Sequence, residues 1–226
     1  MFQESGFLSA KGFNLHYIKA GNGPKALLSF HGFDRTGSDF MVFEKSLGNI
    51  YTIYAFDSLY HGKSYLQHDV AKSFMSKNDL CDLLQKFMVE KSYSRISLFG
   101  YSMGGRIALC ILETMPGQID DVFLMAPDGI KRDIWNTFAT KSNIGKWLFK
   151  GVVKNPSLFL KLLKLLQSFR LIHPKAVHYI IGQMKEEENR LRLMKVWTMH
   201  KELIPEMERI PKIIFRYRVK IGRAHV

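Results

Sequence analysis

A serine enclosed by glycines is the feature of this sequence with the clearest catalytic potential. It is Ser102, within the stretch GYSMGG at residues 100–105. The preceding run Arg95–Gly100 is typical of a buried strand, and the following run Gly104–Met115 predicts an apolar helix. A serine on a strand–turn–helix bend projects its hydroxyl above the sheet edge, where the helix N-terminus stabilises developing negative charge. We therefore predict that Ser102 is a nucleophile; a serine that only shapes the turn is the alternative.

Two further segments end predicted strands and lead into loops. The apolar run Lys25–His31 leads into a Gly-Phe loop, and Tyr51–Asp57 leads into the stretch DSLYHGKS at residues 57–64. The first of these loops can supply the main-chain N–H of Phe33 to an oxyanion, and Met103, directly after the serine, can supply another. These groups have the chemistry of acyl transfer, in which a tetrahedral intermediate carries negative charge on oxygen.

The rest of the first half of the chain alternates between strands and helices. Residues 7–20 alternate in polarity as an edge hairpin does, and Asp121–Ala126 is a fourth buried strand. Ser38–Leu47 and Asn78–Val89 have the character of helices. This alternation predicts right-handed crossovers and a mostly parallel sheet with helices on both faces.

The pattern changes after residue 129. Residues 130–200 contain helix-like stretches and no convincing strand, which predicts a helical insertion over the C-terminal edge of the sheet. Ser157–Phe169 is strongly amphipathic, with Lys161 and Lys164 on one face and leucines on the other. Packing of this apolar stripe against the core is the favoured interpretation. Lining of an acyl-sized pocket and contact with a membrane are the alternatives.

Together these segments resemble the α/β-hydrolase superfamily. The resemblance rests on the strand that ends in His-Gly, the D-x-x-x-H-G-x-S stretch and the G-x-S-x-G-G elbow, in the family's order and spacing. It implies an α/β-hydrolase fold with a core at residues 1–129, an inserted helical lid at 130–200 and a helix at 201–220 that returns to the core. One departure is Tyr60, where many members of the family carry glycine.

The resemblance also implies the roles of individual residues. Ser102 is the implied nucleophile, the main-chain N–H groups of Phe33 and Met103 form the implied oxyanion hole, and Gly100 and Gly104 are the elbow glycines. No metal or cofactor is implied. The implied reaction is hydrolysis of a carboxylic ester or related acyl substrate through an acyl-enzyme. C–C bond hydrolysis, acyl transfer, perhydrolysis and ligand binding without catalysis are alternatives on the same fold.

The acid and the base of a catalytic triad are not evident in the sequence. In the family the acid follows the strand after the lid and the histidine follows the last strand, and we predict neither strand here. Asp128 follows a predicted strand, but its Pro-Asp-Gly context favours a turn over the triad acid. No histidine of the chain is expected to supply the base; the set is His16, His31, His61, His68, His173, His178, His200 and His225.

The last six residues suggest a source outside the gene. IGRAHV, residues 221–226, is what ATC GGA AGA GCA CAC GTC encodes, and with the last two bases of an AAG codon for Lys220 this matches the start of a widely used sequencing adapter. We therefore hypothesise that these residues are translated adapter and that the gene continues after Lys220. On this hypothesis the final strands are missing, the edge of the strand Asp121–Ala126 is exposed, and the chain is inactive and poorly soluble by itself. The genomic sequence downstream of Lys220 tests the hypothesis.

Composition and charge exclude several other classes of protein. Hydrophobic residues make up 46% of the 226 residues and charged residues 23%, which indicates a globular chain. The net charge is +13, but residues 1–130 hold 12 Lys and Arg against 13 Asp and Glu, while residues 131–226 hold 21 against 7. Without a recognised motif this excess does not favour nucleic acid as a partner.

The lack of a recognisable targeting signal in the sequence and the spacing of its cysteines predict the compartment of the protein. The first residues lack the apolar segment of a signal peptide, and no apolar run is long enough to cross a bilayer. Cys81 and Cys110 lack the spacing of metal ligands and read as reduced thiols. We therefore expect a cytoplasmic protein without a stable membrane anchor, whose partner is a small acyl substrate.

Overall fold

The chain divides into two compact units. Met1–Arg132 and Glu202–Val226 form one, here called the core unit, and Asp133–Lys201 forms the other, here called the helical unit. The computed structural model describes residues 4–67, 74–128 and 134–224. Within these ranges the core unit contains all the strands, and the helical unit contains only helices and their connections.

Eight strands of the described residues form one mixed sheet. They are β1 (Glu4–Ala10), β2 (Phe13–Ala20), β3 (Lys25–Phe30), β4 (Tyr51–Phe56), β5 (Tyr65–Leu66), β6 (Ile96–Tyr101), β7 (Ile119–Met125) and β8 (Lys220–Ala224). Their order is β1-β2-β4-β3-β6-β7-β8, and β5 pairs with β2. The predicted edge hairpin is confirmed, because β1 pairs antiparallel with β2 from the pair Glu4–Lys19 to the pair Ala10–Phe13.

Strand order fixes where a ligand can bind. Strand β3 pairs in parallel with β4 on one side and with β6 on the other, and β7 and β8 continue the parallel part beyond β6. The connections that follow β3 and β4 therefore lead to opposite sides of β3. Such a reversal opens a crevice at the carboxyl ends of the two central strands, here β3 and β6.

Helices flank both faces of this sheet. The core unit contains the 3₁₀ helices Gly37–Phe43 and Pro116–Gln118 and the α-helices α1 (Glu44–Leu47), α2 (Lys77–Glu90), α3 (Met103–Thr114) and α9 (Ile210–Tyr217). Helix α2 begins at a capping box in which the Ser76 hydroxyl accepts from the Asp79 N–H and the Asp79 carboxylate accepts from the Ser76 N–H. The mostly parallel α/β architecture with helices on both faces is thus confirmed.

Alternate residues of the strands pack on opposite faces, as the two-residue period of a strand requires. On one face Leu27 and Ile53 cluster with Phe40 of the 3₁₀ helix. On the other face the rings of Tyr54 and Phe56 lie 4.8 and 5.5 Å from the ring of Phe87 in α2. The central strands are therefore buried on both sides, which explains their uninterrupted apolar sequences.

The helical unit contains five helices within its described residues. They are α4 (Ile134–Lys141), α5 (Asn143–Lys154), α6 (Ser157–Ser168), α7 (Pro174–Lys185) and α8 (Glu187–Met199). Arg190 of α8 is buried, and its guanidinium donates to the main-chain oxygens of Val153 (2.8 Å) and Met184 (2.8 Å). One side chain thereby satisfies carbonyl groups near the ends of α5 and α7. No helix in the described ranges has both the length and the apolar character needed to cross a bilayer.

The prediction of one helix over Ser38–Leu47 is wrong in detail. The segment forms a 3₁₀ helix, Gly37–Phe43, followed by the single α-turn of α1. A Cβ atom on Gly37 would lie 2.4 Å from the Ala55 oxygen, so this helix begins in direct contact with β4. The close approach and the burial of Phe40 outweigh the local preference for a regular α-helix.

The prediction of a helix over residues 201–220 with the final strands missing is wrong in part, because the helix covers only Ile210–Tyr217 and a strand follows it. Helix α9 ends at Tyr217 and is followed by Arg218, which has a left-handed φ of 54°. Strand β8 then pairs in parallel with β7, from the pair Asp121–Lys220 to the pair Met125–Ala224. Strand β8 therefore covers the edge of β7 that we expected to be exposed. The pairing is made by main-chain groups, which every sequence provides, so it could form for residues 221–224 whatever their origin.

The returning segment is also held by a buried carboxylate. Glu113 of α3 accepts from Lys77 Nζ at 2.7 Å and from the Glu206 N–H at 3.2 Å. Arg209 Nη1 lies 3.4 Å from the same carboxylate. Because Glu113 is buried, its charge is compensated by groups from α2 and from the segment that precedes α9.

Candidate active site

Ser102 lies between the last residue of β6 and the first residue of α3. Its backbone has φ 50° and ψ −117°, a region that residues with a side chain rarely occupy. The Ser102 N–H donates to the Met125 oxygen at 3.0 Å, and the Ser102 oxygen accepts from the Asp128 N–H at 2.9 Å. Hydrogen bonds to the end of β7 and the residues after it therefore hold the strained bend in place.

Glycines make this bend sterically possible. A Cβ atom on Gly100 would lie 2.5 Å from the Gly104 oxygen, and one on Gly104 would lie 1.8 Å from the Phe30 oxygen. A Cβ atom on Gly105 would lie 2.6 Å from the Pro127 Cβ. The two glycines singled out from the sequence thus sit where no side chain fits. The need for Gly105 was missed, although the Gly-Gly pair was a signal for it.

The loop after β3 reaches the same place. A Cβ atom on Gly32 would lie 3.2 Å from the Ser102 Cβ and 3.0 Å from the Tyr101 ring. Phe33 directly follows Gly32, so the structure brings the loop that carries Phe33 beside the serine. Met103 is the first residue of α3, and the first N–H groups of an α-helix have no acceptor within the helix. Both segments expected to supply oxyanion donors therefore meet at Ser102.

Two histidine side chains form hydrogen bonds with the main chain of this loop. His31 is fully buried, with Nδ1 2.6 Å from the Gly32 oxygen, and its Nε2 accepts from the Ser58 N–H at 2.9 Å. The Nε2 of His61 accepts from the Asp34 N–H at 3.1 Å. The two rings are in contact, with centroids 5.0 Å apart. Hydrogen bonds from these histidine side chains to the main chain of Gly32 and Asp34, on both sides of Phe33, therefore fix the path of the loop.

Protonation of His31 is expected to destabilise the protein below about pH 6.5. Burial lowers the pKa of His31, and a protonated Nε2 could not accept from Ser58. The unfolded chain binds this proton near pH 6.5, whereas the folded chain binds it only at lower pH. The free energy of unfolding should therefore fall as pH decreases between these two pKa values, by at most about 1.4 kcal/mol per pH unit.

Urea denaturation at a series of pH values between 7.5 and 5 checks this expectation, and His31→Asn is its control. The asparagine does not titrate, so the variant should lose less stability over the same pH range than the wild type. Equal pH dependence in both proteins would contradict the assignment of a neutral, buried His31 as the support of the loop.

Asp57 ties together the loops after β3 and β4. Its carboxylate accepts from the N–H groups of Gly37 (2.8 Å) and Lys63 (3.0 Å), and it lies 2.8 Å from Nδ1 of His16. A Cβ atom on Gly62 would lie 2.0 Å from the same carboxylate. The D-x-x-x-H-G-x-S stretch is therefore structural. The part played by His16 was missed, because its place in β2 gave no signal of a partner in a distant loop.

Tyr60, the departure from the family pattern, has a left-handed backbone with φ 66°. Glycine adopts this conformation without strain, which explains why glycine suits the position in related sequences. The tyrosine is accommodated in the same turn, between the strand end at Phe56 and the glycine turn at Gly62.

No described histidine of the core unit is hydrogen-bonded to the serine. In the described part of the core unit, His16, His31 and His61 bond to other groups, and none of them bonds to Ser102. His200 has Nδ1 2.9 Å from the Val196 oxygen in its own helix. The remaining histidines lie in the helical unit or, for His68 and His225, outside the described residues.

Asp128 contacts the bend through its main chain. Its N–H bonds to the Ser102 oxygen, and its carboxylate lies 3.9 Å from Nε of the buried Arg106. The main chain at Asp128 thus stabilises the bend, and the predicted Pro-Asp-Gly turn extends to Gly129, which lies outside the described residues. The other nucleophilic side chain near α3, Cys110, is not a rival to Ser102, because burial raises the pKa of its thiol to about 12.

Comparison with known protein families decides the assignment of the fold. The sequence model described as the alpha/beta hydrolase fold matches residues 25–151, more than half of the chain. The chain belongs to the α/β-hydrolase fold family. The matched residues include β3, β4, the bend at Ser102 and all of α3, which are the elements that build the site.

Individual relatives of this α/β-hydrolase-fold protein are distant. An uncharacterized protein of Mycobacterium tuberculosis is 27% identical over 128 residues, which are 57% of this chain and 36% of that protein. The chain thus spans about a third of the length of the curated relatives it matches.

Solved structures share the fold at low sequence identity. A probable hydrolytic enzyme from Pseudomonas aeruginosa PAO1 superposes with a TM-score of 0.64 at 14% identity, covering 99% of this chain and 73% of that one. A protein from Pseudomonas aeruginosa provisionally named an epoxide hydrolase gives a TM-score of 0.59 at 14% identity, covering 97% and 78%.

Proposed function

We propose that this protein is a serine hydrolase that cleaves a carboxylic ester or a related acyl substrate through an acyl-enzyme at Ser102. The observation that carries the proposal is the strained backbone of Ser102, with φ 50°, at the crevice between β3 and β6. A backbone conformation strained in this way persists only where the surrounding structure imposes it, and residues in such conformations cluster at active sites. The approach of Gly32 to the serine and the start of α3 directly after it support the same assignment.

The proposed reaction has two halves. Ser102 Oγ attacks the carbonyl carbon while a base takes its proton, and the π electrons of the carbonyl move onto its oxygen. The N–H groups of Phe33 and Met103 stabilise that oxyanion, each worth about 3 kcal/mol of the barrier. The intermediate then expels the alcohol, which receives the proton from the base, and water repeats the sequence on the acyl-enzyme. The base in this scheme is a histidine, and we assign it to none of the eight histidines of the sequence.

The side chain at the bend favours acyl transfer over epoxide opening, although some structures with this fold are named epoxide hydrolases. A serine that opened an epoxide would become an ether, which water does not cleave under mild conditions. A serine that accepts an acyl group becomes an ester, which water cleaves and which regenerates the hydroxyl. C–C hydrolysis, acyl transfer and perhydrolysis share this acyl-enzyme and differ in the leaving group or acceptor.

Turnover of model substrates tests the proposal. Protein expressed from its genomic reading frame should release p-nitrophenol from p-nitrophenyl acetate or p-nitrophenyl decanoate, and it should not open styrene oxide. The ratio of the two ester rates reports the size of the acyl pocket. Opening of styrene oxide without ester hydrolysis would overturn the proposal. A folded protein that cleaves none of these compounds would instead support ligand binding without catalysis.

A further inference from the structure

The helical unit carries an exposed apolar stripe along α6. Leu158, Leu162, Leu165 and Phe169 follow one another at i, i+4, i+7 and i+11, so they share one face of the helix and of its last turn. Their side chains are exposed by 79%, 51%, 53% and 67%. The neighbouring helices of the helical unit therefore leave these side chains uncovered, and their packing against the core stays a prediction.

The stripe is not required for the packing of the helical unit itself. The opposite side of α6 supplies the buried Leu163, and Arg190 holds α7 and α8 against the end of α5. Helix α5 repeats the arrangement: Val153 is buried, while Trp147 is exposed by 74% on the outer side. Each of the two neighbouring helices therefore has one inward apolar face and one outward apolar face.

The charged side chains around these outward faces are all positive. Residues 134–185 contain nine Lys and Arg and neither Asp nor Glu. The lysines of the two helices are all exposed; they are Lys146, Lys150, Lys154, Lys161 and Lys164. On α6, Lys161 and Lys164 lie on the face next to the leucine stripe. The surface thus combines large apolar side chains with a local positive charge.

We propose that the outward faces of α5 and α6 form a docking surface for a lipid bilayer that contains anionic phospholipids. Amphipathic helices with leucine and tryptophan on one side and lysine on the other lie in the plane of such a membrane, with the apolar face at the headgroup boundary. Each helix has twelve residues, which is far too short to cross a bilayer. The inference is independent of the function of Ser102.

The charge argues against the other occupants. A second copy of the chain would bring an equally basic surface against this one, and like charges at close range oppose association. A nucleic acid would complement the lysines but would leave the leucine stripe without apolar contacts. An anionic bilayer satisfies both features at once, because its headgroups attract the lysines while its acyl boundary takes up the leucines.

Vesicle flotation with the whole chain tests this inference. The protein should float with vesicles of phosphatidylcholine mixed with phosphatidylglycerol, should bind vesicles of phosphatidylcholine alone at least about tenfold more weakly, and should lose binding as salt increases. Lys161→Glu with Lys164→Glu should lower partitioning by at least about tenfold. The double variant Lys25→Glu with Lys45→Glu, which changes the charge of the core unit equally, should bind like the wild type.

Substitutions in the stripe give the second arm. Leu162→Ser with Phe169→Ser should reduce flotation at unchanged far-UV circular dichroism, whereas Val89→Ser, at an even more exposed apolar residue of α2, should not. The inference is overturned if the protein fails to float with acidic vesicles, or if both control variants lose binding as much as the test variants. It is also overturned if sedimentation shows a dimer that the stripe variants convert to monomer without any vesicle binding.

Discussion

Replacing Gly104 with alanine is expected to lower the free energy of unfolding by about 4 kcal/mol. The new methyl group would lie 1.8 Å from the Phe30 oxygen and 2.8 Å from the His31 oxygen, which are main-chain atoms of the central strand and its loop. Neither atom can retreat, because β3 is hydrogen-bonded to β4 on one side and to β6 on the other. Relief of the clash requires α3 to move away from the sheet and the Ser102 bend to open.

Urea denaturation measures this loss, and Gly151→Ala is the matched control. Gly151 lies inside α5 with no atom within 4 Å of an added methyl group, so alanine there should raise stability by about 0.5–1 kcal/mol through its better helix propensity. The inference that α3 packs in direct contact with β3 is contradicted if Gly104→Ala unfolds at the same urea concentration as the wild type.

Loss of the serine hydroxyl has the largest expected effect on activity. Ser102→Ala should reduce ester hydrolysis by about 10⁴–10⁶-fold, because it removes the group that forms the acyl-enzyme. Ser102→Gly should abolish activity to the same extent and raise stability by about 1 kcal/mol, since glycine adopts the backbone conformation at φ 50° without strain. A gain in stability with a loss of activity is the signature of a strained catalytic residue.

Ser92→Gly provides the control for this pair. Ser92 also has a left-handed backbone, with φ 59°, but it lies at the exposed end of α2. The substitution should raise stability by a similar amount, about 1 kcal/mol, without a change in kcat/KM. Full activity in Ser102→Ala would refute the role of the serine, and equal loss in Ser92→Gly would show that the assay follows folding instead of chemistry.

Most of the core and the position of the serine could be predicted from sequence. Buried parallel strands are continuous apolar runs, so β3, β4, β6 and β7 were placed nearly as the structure has them. The sharp bend at Ser102 could be predicted because its glycines leave few alternative conformations. The 3₁₀ helix at Gly37–Phe43 could not, since it depends on contact with Ala55 in a strand that comes later in the chain.

Features that depend on long-range contacts were missed. Strand β8 owes its conformation to the free edge of β7, so its own residues carry no strong strand pattern. The bond between His16 and Asp57 joins β2 to a loop 41 residues away. The exposure of the α6 stripe within the helical unit was also not evident, because an amphipathic sequence specifies two faces of a helix without specifying which face its neighbours cover.

The acyl-accepting role of Ser102 is tested most directly by reaction with a fluorophosphonate, followed by peptide mapping with mass spectrometry. The protein expressed from its genomic reading frame should acquire a single adduct on the peptide that contains Ser102. The adduct should disappear in Ser102→Ala and persist in Ser92→Gly. An adduct on another residue, or a folded protein that hydrolyses esters while Ser102 stays unmodified, would contradict the assignment of Ser102 as the nucleophile.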